Sequence, residues 1–320
     1  MKSEIISQPV LVLVGPTAIG KTALSLSLAE RFSCEIVSVD SMQVFRHMDI
    51  GTAKATAAER KQVPHHLIDI VDPNENYDAA RYRNDALKSI RDIQSRGKIP
   101  LITGGTGLYL RALLNGIFPG VPADETIRQN LQQRLQSEGS SKLYEELRSI
   151  DCISAEKIKL NDHHRLLRAL EVFYISGVPW SEHLEEHRKM PPETVFTHIL
   201  QIGLTCERKE LYSRINQRCQ NMIDMGLEQE VKNLFQMGYD KSLKVFCSIG
   251  YRHIIKYLDG EWSLEEMLSY LARDTRRYAK RQYTWFSKMI DLRWVSVNES
   301  EGLFRDIDNW LSTYQGNVTT

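Results

Sequence analysis

The chain has 320 residues, 42% of them hydrophobic and 26% charged, with 41 Lys and Arg against 41 Asp and Glu. That is enough apolar material for one large or two smaller cored domains, and it excludes a disordered chain. Zero formal charge excludes a uniformly basic nucleic-acid binder, so any such surface has to be local. The five cysteines (Cys34, Cys152, Cys206, Cys219, Cys247) show no C-x-x-C spacing, so neither a zinc site nor a disulfide framework is indicated, and free thiols suit a reducing cytosol. No signal peptide pattern and no uncharged apolar run of about 18 residues occurs, which predicts a cytoplasmic, soluble protein.

Val10–Val14 is an apolar run of the kind found in strands buried on both faces. Thr22–Phe32 has helical spacing, and "CEIVSVD" (Cys34–Asp40) reads as a second strand. "AARYRNDALKSIRDIQSRG" is helical and stops at Gly97, and "IPLITGGTGLYLRALL" reads strand, Gly turn, helix. This alternation predicts an α/β fold, a parallel sheet with helices on both faces. Near Phe118 the pattern changes. "FPGVPADETIRQNLQQRLQ" opens as a Pro/Gly linker, and "SKLYEELRSI", "SAEKIKL" and "DHHRLLRALEVFYISG" are all helical in spacing. We therefore expect a helical insertion over 118–196 in a core formed by 1–117 and 197–320. Thr197–Arg208 should resume the sheet, and everything beyond should be mainly helical.

"GPTAIGKT" fits G-x-x-x-x-G-K-[ST] in full, between a strand and a helix. Its glycines let backbone N–H groups converge on phosphate oxygens, the helix adds its positive end, and Lys21 adds a point charge. The Thr22 hydroxyl is placed to ligate Mg²⁺. The motif does not say which molecule carries the phosphates. No N-K-x-D for guanine is present. Asp40 is an acid of the kind that ends a strand beside such a loop, and three roles are open to it: Mg²⁺ ligand, base facing the phosphates, or cap of the next segment. "LITGGTGLYL" is a second Gly-rich strand exit with Thr106 at its tip, and loops leaving one edge of a parallel sheet converge. "SRINQRC" sets Arg214 and Arg218 four apart on one helix face. "RDTRRYAKRQYTWFSK" carries six basic residues against one acid, interleaved with Tyr278, Tyr283, Trp285 and Phe286. That is either an RNA-binding surface or a solvated helix with a core-facing aromatic stripe.

Seven blocks, "GPTAIGKT", "DSMQVFRHMDIGTAK", "PHHLIDIVDP", "TGGTGLYLRALL", "HRLLRALEV", "SIGYR" and "AKRQYTWF", follow one another over about residues 10 to 290. In this order they resemble the bacterial-type tRNA dimethylallyltransferases (tRNA isopentenyltransferases). The resemblance implies transfer of the five-carbon group of dimethylallyl diphosphate to N6 of adenosine 37 in tRNAs reading codons that begin with U, with release of diphosphate. It implies that Asp40 is the general base and that Thr17 and Thr106 orient donor and acceptor. Gly15, Pro16, Thr17, Ala18, Ile19, Gly20, Lys21 and Thr22 would hold the diphosphate, with Arg218 and Mg²⁺ on Thr22. By the same resemblance, tRNA would be contacted by Asp40, Ser41, Met42, Gln43 and Thr106, and by Arg128, His164, Arg165 and Arg168 of the insertion as it closes on the anticodon stem. Further contacts would come from Cys247, Gly250, Tyr251 and Arg252, and from Lys280, Arg281, Gln282 and Trp285. The implied enzyme is a monomer. Phe45, His47, Arg277 and Ser287 depart from the family's usual residues, and Ser287 weakens one expected RNA contact. The competing readings are a P-loop nucleotide or small-molecule kinase and a non-catalytic RNA binder that uses nucleotide as a switch.

Overall fold

The computed structural model describes residues 3–118, 121–122 and 124–318. Pro119 and Gly120, the centre of the expected linker, lie outside them. The chain divides into two compact units, one built on Gly116–Glu193 and the other on Glu4–Asn115 and Thr194 onward.

The larger unit carries β1 (Glu4–Ile6), β2 (Val10–Val14), β3 (Cys34–Val39), β4 (His65–His66), β5 (Ile99–Gly104), β6 (Thr194–Phe196), β7 (Ile199–Thr205) and β8 (Leu292–Ser296). Six of these form one sheet in the order β4-β3-β5-β2-β7-β8, every pair parallel. All five residues of β2 are buried, because the strand is paired on both edges and covered on both faces. Leu11 and Leu13 face a core shared with α1 (Lys21–Phe32) and with the later helices α10 (Arg208–Asp224), α11 (Leu227–Gln236), α12 (Tyr251–Leu258), α13 (Leu264–Phe286) and α14 (Ser300–Val318). Alternation turns Val10, Val12 and Val14 to the other face. α3 (Ala79–Ser95) packs on the sheet and on α4 (Gly107–Asn115), burying Tyr82, Ala86, Ile90 and Ile93. A short helix, α2 (Ala57–Gln62), is closed by a Thr56–Glu59 capping box.

Two elements differ from the sequence reading. β8 adds a strand within the segment expected to be helical. It is an edge strand, and Arg293 and the exposed Trp294 break the apolar run that would betray it. β6 lies inside the 118–196 span, yet it pairs with β1 and belongs to the larger unit. Three residues with one partner strand give too short a pattern to read.

The smaller unit contains α5 (Glu125–Glu138), α6 (Ser140–Ile150), α7 (Cys152–Lys157), α8 (His163–Ser176) and α9 (Trp180–Lys189). Leu131, Leu143, Leu147, Ala155, Ile158, Leu166, Ala169 and Leu170 form its own core. α8 starts on the Asp162 side chain, which accepts from the Arg165 N–H, and ends where Gly177 turns left-handed.

Candidate active site

β2, β3, β5 and β7 run in one direction, so the turns after β2, β3 and β5 leave the same sheet edge. The turn after β2 is the Gly15–Gly20 loop. Gly20, at φ 104°, ends the loop and caps α1, which leaves the helix N-terminus open toward the crevice. Lys21 donates from Nζ to the carbonyls of Gly15 at 3.0 Å and Pro16 at 2.8 Å. Desolvation, and then the neighbouring Arg218, push its pKa down to about 7, against an opposing pull from Asp40. Arg218 is depressed as well, chiefly by burial, while Asp40 acts to restore it. Two cations held close and short of solvent make a site that favours an anion.

Asp40 follows β3 and does two things. Its Oδ1 accepts from the N–H groups of Met42 at 2.8 Å and Gln43 at 3.3 Å, so the capping role is real. Its Oδ2 takes no hydrogen bond among the described residues, and the residue lines the crevice. Thr106, after β5, accepts at Oγ1 from the Ser41 N–H at 3.0 Å, which ties the two turns together. Gln43 spends its side chain on Ser38 and on the Thr52 carbonyl.

Two cavities open here. One, of about 440 Å³, runs along the loop and is lined by Thr17 to Thr22, Asp40, Arg214 and Arg218. The other, of about 320 Å³, is lined by Ser41, Met42, Cys247 to Arg252 and Arg281. Thr17, Asp40, Thr52, Arg218 and Tyr278 belong to both walls. The expected residues Thr17, Asp40 and Arg218 thus meet at the junction, and Thr106 stands behind it through Ser41. Arg214 backs the loop instead, donating to the Ile19 carbonyl at 3.1 Å and pairing with Glu210 at 2.6 Å.

Several residues expected to meet RNA are otherwise engaged. Tyr251 is fully buried, with its hydroxyl donating to Glu230 at 2.6 Å and its ring in the space a side chain at Gly51 would need. Gln282 is 5% exposed, and its amide is bound inside the protein. Trp285 is half-buried against Gly107, Tyr283 packs on Trp294, and Phe286 is in the core. The aromatic stripe of α13 is therefore mostly core, while Lys280 and Arg281 remain exposed. Arg252 pairs with Asp274 at 2.7 Å, an acid that also takes Arg273 at 3.0 Å. In the smaller unit, Arg128 and Arg168 both bind Glu171, at 3.0 and 2.9 Å, and that carboxylate is buried. Their guanidinium groups neutralise an acid of their own unit, whereas His164 and Arg165 are exposed.

Sequence reasoning missed two residues and misplaced a third. Glu230 accepts from the N–H groups of Asp49, Ile50 and Gly51, so a helix 180 residues away fixes the loop that supplies Thr52 to both cavities. Nothing in an amphipathic helix singles it out. Tyr278 stands in the wall of both cavities, and burial, then Asp40, push its pKa up and keep it neutral. Gln282 is the third.

The fold is a P-loop-like α/β sheet, and its edge sets the Gly15–Thr22 loop and two buried cations beside the Asp40 carboxylate. Residues 43–289 match the family model described as IPP transferase. The chain is 57% identical over 308 residues to the tRNA dimethylallyltransferase of Desulfotalea psychrophila, covering 96% of this chain and 97% of the relative. Among solved structures it resembles the tRNA isopentenylpyrophosphate transferase of Bacillus halodurans, with TM-score 0.69, 37% identity and full coverage of both chains. It also resembles a eukaryotic dimethylallyltransferase acting on tRNA, with TM-score 0.77 and 29% identity over 96% of this chain and 80% of that one. The chain belongs to the IPP transferase family, the tRNA dimethylallyltransferases, which are prenyl-transferring enzymes.

Proposed function

We propose that this protein moves the dimethylallyl group of dimethylallyl diphosphate to N6 of adenosine 37 in tRNAs that read codons starting with U, and releases diphosphate. The observation that carries the reading is the pair of cavities with Thr17, Asp40 and Arg218 in their shared wall. A cradle of loop residues with Lys21, Arg214 and Arg218 on one side suits a diphosphate, and on the other a chamber where Met42, Met222, Leu271 and Tyr278 stand beside Arg252 and Arg281 suits a base attached to an anionic backbone. An adenine stacked in an anticodon loop has to flip out to enter it.

The N6 amine is a weak nucleophile because its lone pair is delocalised into the ring. Asp40, anchored through Oδ1, has Oδ2 free to take the N6 proton as the N–C bond forms. The C–O bond to the donor breaks, and its electron pair leaves with the diphosphate. Loop N–H groups, Lys21 and Arg218 stabilise that charge. Thr17 orients the reacting carbon, and Thr106 holds the turn that presents Asp40 and Ser41.

Among the described residues no cluster of three His, Cys, Asp or Glu side chains stands ready for a metal. Mg²⁺ needs none when phosphate oxygens and water complete its shell, and the exposed Thr22 hydroxyl at the start of α1 fits that mode. Bound there, Mg²⁺ would neutralise diphosphate charge. Exposed Lys280, Arg281, His164 and Arg165 are the side chains we assign to the RNA backbone. No described helix is long and apolar enough to cross a membrane, and we expect a monomer working in the cytoplasm. The kinase reading is not favoured, because the family transfers prenyl groups. The test is incubation of labelled dimethylallyl diphosphate with unmodified tRNA in the absence of ATP. Label on the adenosine 3′ of the anticodon supports the proposal, and unlabelled RNA overturns it.

A further inference from the structure

We infer that Gln282 is a positioning residue of the reaction, a clamp that sets the distance between the phosphate loop and the Gly105–Thr106 turn, and that Gly105 is a glycine because of it. The inference rests on the proposed prenyl transfer. Gln282 lies on the buried side of α13, 5% exposed. Its Oε1 accepts from the Thr17 N–H at 2.9 Å, and its Nε2 donates to the Gly105 carbonyl at 2.9 Å. One planar amide thus joins two loops from different strands, with an acceptor for one and a donor for the other. Tyr278, one helical turn earlier, lies in the wall of both cavities.

A side-chain amide alone has this pairing at this length. Glutamate would set a carboxylate oxygen against the Gly105 carbonyl, lysine would have no acceptor for Thr17, and asparagine is one carbon short. Buried groups that lose such a partner stay unsatisfied, so the loops would have to shift to find water. Thr17 lies in the wall between the two cavities, and a displacement near 1 Å there is enough to cost roughly 100-fold in rate.

The glycine supplies an independent check. A Cβ at Gly105 would lie 2.1 Å from Gln282 Nε2, while the next protein atoms, Gln282 Cδ and Gly15 O, are at 3.3 and 3.8 Å. Gly105 is absent from the residues with left-handed backbone, so an alanine there is opposed by the Gln282 amide and by little else.

The test is a double-mutant cycle on the full chain, with single-turnover rate, donor KM, tRNA affinity and thermal midpoint read for G105A, Q282A and the pair. Each single variant should lower kcat about 10- to 100-fold with tRNA affinity within about threefold. The pair should be no slower than Q282A within about twofold, because the alanine methyl then meets empty space. Rates that multiply would overturn the inference. So would a Q282A enzyme with normal kcat at saturating tRNA but weakened tRNA affinity, which would make Gln282 an RNA contact. Should Q282A fail to fold, Q282E keeps the side-chain volume and the Thr17 acceptor, and is predicted to lose kcat in the same way; full kcat in folded Q282E would overturn the clamp. Absence of prenyl transfer by the unmodified enzyme would instead count against the function itself.

Discussion

Asp40 and Thr106 are bound to successive amides of one turn: Thr106 Oγ1 accepts from the Ser41 N–H at 3.0 Å, and Asp40 Oδ1 from the Met42 N–H at 2.8 Å. The carboxylate is therefore oriented before any substrate arrives. D40N keeps the Oδ1 acceptor and the turn while losing the base. We expect kcat to fall about 10²- to 10⁴-fold, the range for a lost general base, with tRNA affinity within a few-fold. Rates of prenyl transfer beside filter binding check this, and near-normal turnover would remove Asp40 as the base.

Lys21 gives a pH prediction with a definite sign. Burial, then Arg218, push its pKa down to about 7, so below that pH the ammonium is already charged and above it is mostly neutral. A bound diphosphate favours the charged form and raises the pKa. Donor affinity should thus be full near pH 6 and weaken as pH rises above 7, with proton uptake on binding at pH 8. Calorimetry in buffers of different ionisation heat measures that uptake, and K21M should abolish it while raising the donor KM.

Arg128 and Arg168 converge on Glu171, whose side chain is 3% exposed. E171A strands two guanidinium groups around a hole, and breaking a buried pair costs about 3–5 kcal/mol. Thermal unfolding should show a lower midpoint for E171A and a smaller drop for R128A, whose loss leaves Arg168 on the acid. An R128A enzyme of unchanged midpoint and weakened tRNA binding would restore the RNA role expected from the sequence.

Lys280 and Arg281 stand exposed on α13, beside a buried Gln282. tRNA affinity should fall steeply with salt, and K280A and R281A should each lessen the log–log slope by about 1. A salt response unchanged in both variants would take the RNA off this face.

The parts legible in the sequence are those encoded locally. The Gly15–Thr22 loop is a backbone shape that its own residues dictate, and Asp40 and Thr106 follow from strands ending at a common edge. The parts that misled depend on distant partners. Gln282 reads as one polar residue in a basic segment until Thr17, 265 positions earlier, lies against it. Tyr251 stands among the RNA contacts implied by the resemblance, and only the fold shows Glu230 and Gly51 enclosing it. Arg128 and Arg168 are the residue type that binds phosphate, and only the fold supplies Glu171. The edge strand β8 is hidden because Arg293 and Trp294 at its centre are exposed.

In the proposed reaction the Gly15–Thr22 loop holds a leaving diphosphate, and no phosphoryl group is transferred. Its most direct test counts products in one reaction with dimethylallyl diphosphate, tRNA and ATP together. One diphosphate should be released per prenylated adenosine, with the ATP unconsumed and the same rate when it is omitted. Phosphate or ADP formed from ATP in step with product, or no product without ATP, would contradict it.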